Sequence, residues 1–362
     1  MDREQPLTHE SSVSVIIATY DRPGPLRAAL ESVLAQTHGD WRAWVIGDGC
    51  GPETAQAVAA FADERIEYLN LPQRFGEQSG PNSVGLDLAE GACVAFLNHD
   101  DVWMPRHLER ALAELTRTGA DFYVGTSAIA FESRETPDGR RRPVFRETSP
   151  TAKDPWAQYE QSRFAFEPCS AWVVRAACAK RIGPWRSART LRRTPLEDWI
   201  LRAARAGASF HFGAELTTLK LNINRRKDSA AGGPSYTATS PEHEFVRDCL
   251  REGAADLLAE QVALDLRENP TDRAARIRRE RTGALQKLAV SRLGHHLFRH
   301  TGIDLVSVAS ALRGEAKGQH LRRASLRRTG RELPDGVTID ALRATARSAR
   351  RTAGERAAPE GP

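Results

Sequence analysis

The sequence predicts an α/β protein: a mostly parallel sheet flanked by helices on both faces, followed by an all-α extension at the C-terminal end. Two observations lead to this fold class. Over residues 13–131, short apolar runs alternate with segments whose apolar residues recur at helical spacing, which is typical of parallel sheets. From residue 241 onward the periodicity is helical and strand patterns almost disappear.

The first strand and the first helix show the pattern most clearly. Residues 13–18 (VSVIIA) form an almost continuous apolar run rich in β-branched residues, as expected of a strand covered on both faces. Pro23 and Pro25 then open a helix whose apolar residues, from Leu26 to Leu34, lie on one side. The same reasoning predicts strands at 41–46, 66–71, 92–97 and 121–131, and helices at 53–62, 83–90 and 107–117.

The second half of the chain is predicted to contain two long loops. Residues 132–154 are rich in Arg, Pro and Thr without periodicity and are predicted to be mobile, and residues 225–240 form the second loop. Ordered structure is predicted at 169–179, a helix at 195–206, an extended segment at 210–221, and helices at 242–268, 274–293, 305–312 and 339–350. The chain therefore divides into a polar leader (1–12), an α/β domain (13–240), a helical basic extension (241–353) and a disordered tail (354–362).

Positive charge is concentrated in the extension. The whole chain has 52 Lys and Arg against 47 Asp and Glu, a net charge of +5 and a pI of about 9.1. Residues 242–362 hold 23 basic and 17 acidic residues, whereas the first 241 residues hold 29 and 30. The excess charge therefore suggests a role of the extension in contacting an acceptor, a membrane surface or another copy of the chain.

Several classes of protein are excluded by composition. Apolar runs such as 13–18 and 92–97 are far shorter than the roughly 20 residues of a membrane span, and the leader has no apolar segment of signal-peptide type. Five scattered cysteines without a CxxC motif indicate a reduced, cytoplasmic protein without structural zinc. Paired arginines in the extension have few aromatic neighbours, so nucleic-acid binding is not expected.

Polar side chains follow three of the predicted strands. They are Thr19, Tyr20 and Asp21 after the first strand, Asp48 after the second, and Asn98, His99, Asp100 and Asp101 after the fourth. Ligands of open parallel sheets bind beyond the carboxyl ends of the strands, and oxygen ligands suit Mg²⁺ or Mn²⁺ bridging a diphosphate. The alternatives are that Asp48 only forms a turn and that Asp101 only caps the following helix.

Two long motifs resemble family 2 glycosyltransferases of GT-A fold. They read VSVIIATYDRPGPLRAALESVLAQTHGDWRAWVIGDG and GLDLAEGACVAFLNHDDVWMPRHLERAL, and the resemblance extends over residues 13–224. It implies a GT-A sheet, a nucleotide-sugar donor, a divalent metal ion and a transfer with inversion. An enzyme resembling hexosyltransferases of glycan or natural-product biosynthesis is therefore expected.

The resemblance also implies roles for single residues. Tyr20 matches the aromatic residue that lies against the donor base, and Asp48 matches the second acid of the family's DDG motif, which hydrogen-bonds a uracil-type base. Gly47 stands in place of the first acid. The segment that approaches ribose and diphosphate contains Gln73, Arg74, Asn82 and Ser83.

The metal-binding motif departs from the family's DxD. Asn98-His99-Asp100 occupies its position, so Asp100 is the anionic ligand expected to hold Mn²⁺ or Mg²⁺. Asn98 would bind ribose or metal through its carbonyl oxygen. This departure motivates an alternative function, a catalytically inactive protein of the same fold that binds nucleotide sugars or serves as a scaffold.

Leu196-Glu197-Asp198-Trp199 opens a predicted helix and resembles the family's ED motif. Asp198 is then the base that removes the acceptor proton during a single displacement, and Glu197 orients or hydrogen-bonds the acceptor. The alternative is that both are first-turn acids that interact favourably with the helix dipole.

Other candidates have two interpretations each. Trp172 and Trp185 are predicted either to pack in the core or to stack on a sugar. The run from Arg225 to Lys227 either closes over a diphosphate or is solvated, and His295, His296 and His300 lack the further ligands of a metal site.

We therefore expect a cytoplasmic transferase. Contact with the inner face of the membrane through the basic extension and assembly into a homo-oligomer are left open. The predicted donor is a UDP- or dTDP-sugar, and a glycan, a lipid-linked glycan, a peptide or a natural product remains open as acceptor. A basic nucleic-acid-binding protein is the remaining alternative.

Overall fold

The computed structural model describes residues 11–149, 168–221, 240–268, 292–319 and 336–357, together with the single positions 322, 326, 332 and 334. Its strands are β1 (Val13–Thr19), β2 (Trp41–Gly47), β3 (Ile66–Asn70), β4 (Cys93–Phe96), β5 (Asp101–Trp103), β6 (Phe122–Glu135), β7 (Arg141–Ser149), β8 (Trp172–Arg175) and β9 (Phe210–Leu221). Among these residues, no helix combines the length and the apolar character that a membrane span requires.

Helices flank and follow the sheet. Those of the α/β part are α1 (Pro23–Leu34), α2 (Pro52–Ala59), α3 (Ser79–Leu88), α4 (His107–Thr118), α5 (Ala176–Ile182) and α6 (Pro195–Arg205). The C-terminal helices are α7 (Pro241–Arg251), α8 (Ala255–Glu268), α9 (Arg292–Thr301), α10 (Leu305–Leu312) and α11 (Ile339–Ala357).

The strands form one mixed sheet in the order β3-β2-β1-β4-β8-β6-β9-β5, with β7 added to β6. The first four strands of this order are mutually parallel. Thr19 lies opposite Gly47, and Gly47 lies opposite Asn70, so β1, β2 and β3 end at the same level. β4 ends earlier, with Phe96 opposite Ile16, and the chain after it turns across the end of β1.

The core lies on both faces of this sheet, as predicted for an α/β fold. On one face the apolar sides of α1 and α4 cover β1, β2 and β4 through residues such as Leu26, Leu30 and Leu108. On the other face Trp172, Trp185 and Trp199 stack together. Trp172 and Trp185 are fully buried, which confirms their packing role and rules out a sugar-stacking surface in this structure.

The predicted mobile loop at 132–154 is wrong over its first part. β6 continues to Glu135 and pairs with β7 in an antiparallel hairpin that turns near Gly139, whose φ is +80°. The pattern was obscured by an arginine inside the hairpin. Arg142 is buried and forms a two-fold ion pair with Asp265 of α8, at 2.8 and 3.0 Å. A buried charge needs such a partner, and here the partner lies 123 residues away.

Other boundaries also differ from the predictions. The helix predicted at 242–268 is divided into α7 and α8 at Gly253, whose φ of +71° favours glycine. The last helix continues through residues 354–357, which were assigned to the disordered tail. Most of the predicted loop at 225–240 and most of the helix predicted at 274–293 lie outside the described residues.

Candidate active site

The polar segments that follow β1, β2 and β4 meet at one rim of the sheet. The backbone N–H of Asp48 donates to Thr19 O over 2.9 Å. The ring of His99 donates from Nδ1 to Ala18 O over 3.2 Å. The Asp100 carboxylate accepts a hydrogen bond from Arg22 Nη1 over 2.9 Å. The structure therefore brings together the residues that the sequence placed at separate strand ends.

Asp48 is buried and holds the loop that follows β3. Its Oδ1 accepts from the N–H of Phe75 over 2.6 Å, and its Oδ2 accepts from the N–H of Gly76 over 2.7 Å. Burial raises the pKa of Asp48 to about 6, although these hydrogen bonds and the nearby Arg74 and Arg189 oppose the shift. Asp48 is thus more than a turn former, because it shapes one wall of the rim.

The structure explains why glycine stands at position 47, where the family motif has an acid. A Cβ atom added there would lie 2.6 Å from both Asn70 Oδ1 and Tyr68 Oη. Asn70 is held in place by two hydrogen bonds to the backbone of Cys50, at 2.8 and 2.9 Å. Side chains of β3 therefore fill the space that a larger residue would need.

Tyr20 and Asp21 line the rim beside this wall. The guanidinium carbon of Arg74 lies 4.4 Å from the centre of the Tyr20 ring, which is a cation–π arrangement. Asp21 adopts a φ of +43° and accepts from the N–H of Gly51 over 2.8 Å. Gln73 is exposed on the same loop as Arg74, whereas Asn82 and Ser83 are buried on α3.

The turn after β4 contains a buried carboxylate that is not a helix cap. Asp101 Oδ2 accepts from Asn98 Nδ2 over 2.8 Å and from Ser170 Oγ over 2.6 Å. Its Oδ1 lies 3.4 Å from Lys220 Nζ, because Asp101 and Lys220 are opposite each other in the β5–β9 ladder. The alternative that Asp101 only caps the following helix does not hold, since Asp101 begins a short strand and α4 begins at His107.

Asp100 is the half-exposed carboxylate of this turn, with 35% of its side chain accessible. Burial raises its pKa, but His99, Arg22, Lys220 and His243 lower it by more, so that it lies well below the usual range. His99 itself has its pKa lowered to about 4, chiefly by burial. The site therefore presents an ionised carboxylate beside a neutral imidazole at pH 7.

One contact comes from the C-terminal extension. His243 of α7 is buried and donates from Nε2 to the backbone carbonyl of Asp100 over 3.0 Å. Four residues of this site were not identified from the sequence: Arg22, Ser170, Lys220 and His243. The only signal in the sequence was Lys220, a charged residue within an apolar strand.

The residues at the turn fit a metal ion only as part of a shared site. Among the described residues, no group of three His, Cys, Asp or Glu side chains is arranged to hold a metal ion. Asp100 Oδ1 has no hydrogen-bond partner within the described ranges, and Asn98 Oδ1 accepts only a weak bond from Cys169 Sγ at 3.4 Å. Mg²⁺ is often bound by one or two carboxylates together with substrate phosphates, so this set fits a metal brought with a diphosphate.

The ED segment forms the first turn of α6. Thr194 and Glu197 make a reciprocal capping box, in which Glu197 Oε2 accepts from the N–H of Thr194 over 3.0 Å. Burial raises the pKa of Glu197 to about 7, against the opposing effect of Arg193. This is the first-turn role that the sequence offered as an alternative.

Asp198 lies on the next position and faces two arginines. Its Oδ2 accepts from Arg202 Nε over 2.9 Å, and its Oδ1 lies 3.6 Å from Arg186 Nη1. Only 12% of the side chain is exposed. The two guanidinium groups therefore fix the direction of the carboxylate.

Aromatic contacts connect α6 to the rim. The ring of Phe96, the last residue of β4, lies 5.4 Å from Trp199 and 5.3 Å from Trp185, edge to face in both cases. The backbone N–H of Trp185 donates to Ser83 Oγ over 3.1 Å. The first turn of α6 is thus held next to the carboxyl end of β4 and to the start of α3.

Two residues of the C-terminal extension, Glu332 and Pro334, also contact the rim. Arg189 Nη2 donates to Phe75 O over 2.6 Å and to Pro334 O over 2.9 Å. Arg74 Nη1 lies 3.4 Å from Glu332 O. Segments far apart in sequence therefore meet around the loop that Asp48 holds.

The remaining candidates do not join this group. His295, His296 and His300 lie on α9, where the rings of the last two are 4.5 Å apart. Arg225, Arg226 and Lys227 lie outside the described residues.

Comparison with known proteins finds one matching family and several relatives. Residues 14–181 match the family described as Glycosyl transferase family 2. The chain is 40% identical over 117 residues to the succinoglycan biosynthesis protein ExoW of Rhizobium meliloti, which covers 31% of this chain and 37% of ExoW. It is 31% identical over 117 residues to the Escherichia coli protein WfgD, named a UDP-Glc:alpha-D-GlcNAc-diphosphoundecaprenol beta-1,3-glucosyltransferase, covering 32% of this chain and 46% of WfgD.

Among solved structures, residues 1–349 of S. aureus TarS in complex with UDP-GlcNAc align with a TM-score of 0.47 and 18% identity, covering 94% of this chain and 87% of that one. The chain spans less than half the length of the two curated relatives described above. The match of residues 14–181 and the two curated relatives confirm the predicted resemblance. Residues 14–181 are therefore similar to family 2 of the glycosyl transferases, and the nine strands form a mixed α/β sheet of the kind that this resemblance predicted.

Proposed function

We propose that this protein transfers a sugar, with inversion, from a nucleoside diphosphate sugar to an acceptor hydroxyl. The observation that carries the proposal is the convergence of the Asp48 wall, the Asn98–Asp100 turn and the first turn of α6 at one rim of the sheet. This arrangement offers separate places for a nucleobase, a diphosphate and an acceptor. Ligands of open α/β sheets bind at such an edge.

The nucleobase would lie against Tyr20 and hydrogen-bond near Asp48. Thr19, Asp21 and Arg74 complete this side, and Arg74 lies over the Tyr20 ring. A uracil or thymine base fits this role, and the relative WfgD is named for a UDP-Glc donor. We therefore propose a UDP- or dTDP-sugar, with Asn82 supporting the loop on the ribose side.

The diphosphate would lie at the turn after β4. Asp100, with the carbonyl oxygen of Asn98, would hold Mn²⁺ or Mg²⁺, and the ring of His99 would lie beside the phosphates. A bound divalent ion neutralises negative charge on a departing diphosphate. Arg22 and Lys220 add positive charge beside the same turn.

The acceptor would approach from the first turn of α6. Its hydroxyl oxygen attacks the anomeric carbon as the bond from that carbon to the diphosphate oxygen breaks, and the hydroxyl proton passes to the Asp198 carboxylate. The nucleoside diphosphate leaves with the bonding electrons. Arg186 and Arg202 orient the base.

Glu197 serves mainly as a positioning residue in this proposal. Its Oε2 is engaged by Thr194, which fixes the turn that presents Asp198. Its Oε1 is buried without a hydrogen-bond partner in the described part of the chain, so an acceptor hydroxyl is a suitable donor to it.

For the acceptor we favour a lipid-linked glycan at the inner face of a membrane. WfgD is named for a diphosphoundecaprenol-linked acceptor. In this chain α9 and α10 expose Leu293, Val308 and Leu312, and the turn between the helices exposes Ile303. Arg299 lies on α9 and Arg313 directly follows α10, and such basic residues suit an anionic lipid surface.

Sedimentation with vesicles tests this surface. Leu312→Glu should reduce binding to vesicles containing anionic lipid, whereas Leu257→Glu on α8 is a control of similar exposure, at 67% against 71%. Equal binding of both variants and the wild type would contradict membrane contact through α10.

Activity itself is tested by release of nucleotide from a panel of UDP- and dTDP-sugars with Mn²⁺ or Mg²⁺, with and without lipid-linked acceptors. Metal-dependent release or transfer supports the enzyme. Binding of nucleotide sugar without any release or transfer would favour the alternative, an inactive binding protein, which the replacement of an acid by Asn98 suggests.

A further inference from the structure

We infer that Arg22 and the divalent ion compete for the Asp100 carboxylate, and that Arg22 moves to the diphosphate when the donor and its metal bind. This inference rests on the proposed function, because it assumes that Asp100 is the metal ligand. It assigns to Arg22 two alternating partners within one reaction cycle. Arg22 thereby makes metal binding depend on the nucleotide.

The position of Arg22 makes this exchange feasible. Its backbone lies at the junction between β1 and α1, and its carbonyl accepts from the N–H of Leu26 at the start of the helix over 3.1 Å. The backbone is therefore held while the long side chain can change direction. Arg22 Nη1 contacts Asp100 Oδ2 over 2.9 Å, with 16% of the Arg22 side chain exposed.

The surroundings explain why a metal ion would disturb this pair. Lys220 is directed to Asp101, 3.4 Å away, so that within the described ranges Arg22 is the cation paired directly with Asp100. A divalent ion on the same carboxylate would lie a few ångströms from the guanidinium group, and like charges at that distance repel. Metal binding is therefore unfavourable until the guanidinium group has another anion to contact.

A diphosphate provides that anion. Guanidinium groups bind phosphate oxygens through two parallel hydrogen bonds, which are stronger than a single contact with a half-exposed carboxylate. Once the diphosphate is bound, Asp100 is released for the metal. Nucleotide and metal should consequently increase each other's affinity, and linkage requires the two effects to be equal.

The experiment compares Arg22→Gln with the wild type in two binding measurements. Mn²⁺ binding is followed by electron paramagnetic resonance without nucleotide, and UDP binding is followed by calorimetry with saturating Mn²⁺. Since a partly exposed ion pair contributes up to about 1 kcal/mol, Arg22→Gln should bind Mn²⁺ alone about fivefold more tightly. It should bind UDP with Mn²⁺ about tenfold more weakly, because a charge-assisted contact to phosphate is lost.

The opposite signs distinguish this role from a structural one, since a misfolded site would lose both affinities. Arg106→Gln is a matched control, because Arg106 forms an ion pair of the same 2.9 Å length with Glu109 on α4, and it should change neither affinity. Unchanged or weaker Mn²⁺ binding by Arg22→Gln would overturn the inference. Asp100→Asn distinguishes failure of this inference from failure of the proposed function: if the variant leaves Mn²⁺ binding unchanged, the proposed metal site itself is wrong.

Discussion

Replacing Asp198 by asparagine is the most direct test of the proposed base. General-base catalysis contributes about 10²- to 10⁴-fold to a rate, which corresponds to roughly 3–5 kcal/mol at about 1.4 kcal/mol for each factor of ten. We therefore expect Asp198→Asn to lower kcat at least about a hundredfold. The KM for the donor should change little, because Asp198 lies on α6 and its ion pairs are with Arg202 and Arg186, not with the residues proposed to bind the nucleobase.

The structure also sets the expected cost in stability. Asp198 pairs with Arg202, but the guanidinium group of Arg202 donates as well to the carbonyls of Ile182 and Pro184, at 2.6 and 2.7 Å. An asparagine retains one acceptor, so the free energy of unfolding should fall by only about 1 kcal/mol. With an unfolding entropy of about 2.1 cal/mol/K per residue, that lowers the Tm of a 362-residue chain by only about 1–2 °C.

The assay combines nucleotide release under saturating donor with a thermal melt of the same preparation. Asp63→Asn is the control, since Asp63 also pairs with an arginine, Arg65, at 2.7 Å but lies on the loop before β3. It should keep the wild-type kcat. If Asp198→Asn retained kcat within about threefold of the wild type, well inside the smallest contribution of a base, the assignment would be refuted.

Three further outcomes are expected. Burial raises the pKa of Glu197 to about 7 from 4.5, so the folded chain retains a proton that the unfolded chain has lost, and stability falls as pH rises from about 4.5 to 7. Glu197→Gln keeps the capping box with Thr194, and its Tm should exceed that of the wild type increasingly over this range; parallel melting curves would contradict the shift. Asp48→Asn should weaken UDP binding about tenfold in calorimetry. It should also lower the free energy of unfolding by about 1–3 kcal/mol, because the two carboxylate oxygens accept from the N–H groups of Phe75 and Gly76. Unchanged affinity for UDP would show that Asp48 does not contribute to nucleobase binding. Arg343→Ala should speed hydrogen exchange at the start of α11, because it removes one of the two ion pairs that Asp87 of α3 forms with this helix, the other being with Arg347. Equal exchange rates would show that the Arg343 pair does not help to hold the helix.

Much of the fold follows from local patterns. The apolar run at 13–18 and the helical spacing after Pro23 predicted β1 and α1 closely, because burial on both faces leaves a direct trace in the sequence. The hairpin of β6 and β7 was missed, since Arg142 interrupts its pattern and is neutralised only by Asp265 of α8. Local periodicity contains no information about such a partner.

The candidate site shows the same division. The residue types at the strand ends predicted the rim, and their roles in binding and catalysis stay predictions. The sequence placed Asp100 and Asp101 side by side as equivalent acids, but the tertiary structure makes them different. Arg22, 78 residues from Asp100, lies beside a half-exposed carboxylate, and Lys220, 119 residues from Asp101, lies beside a buried one.

By itself, the sequence determined the alternation of strands and helices, and hence the edge at which polar residues collect, because both depend on spacings of a few residues. The tertiary structure decided which of those residues are ionised, paired or held within the fold. Charge and burial at a site are set by neighbours brought in from other strands and helices, as Arg22 beside Asp100 shows.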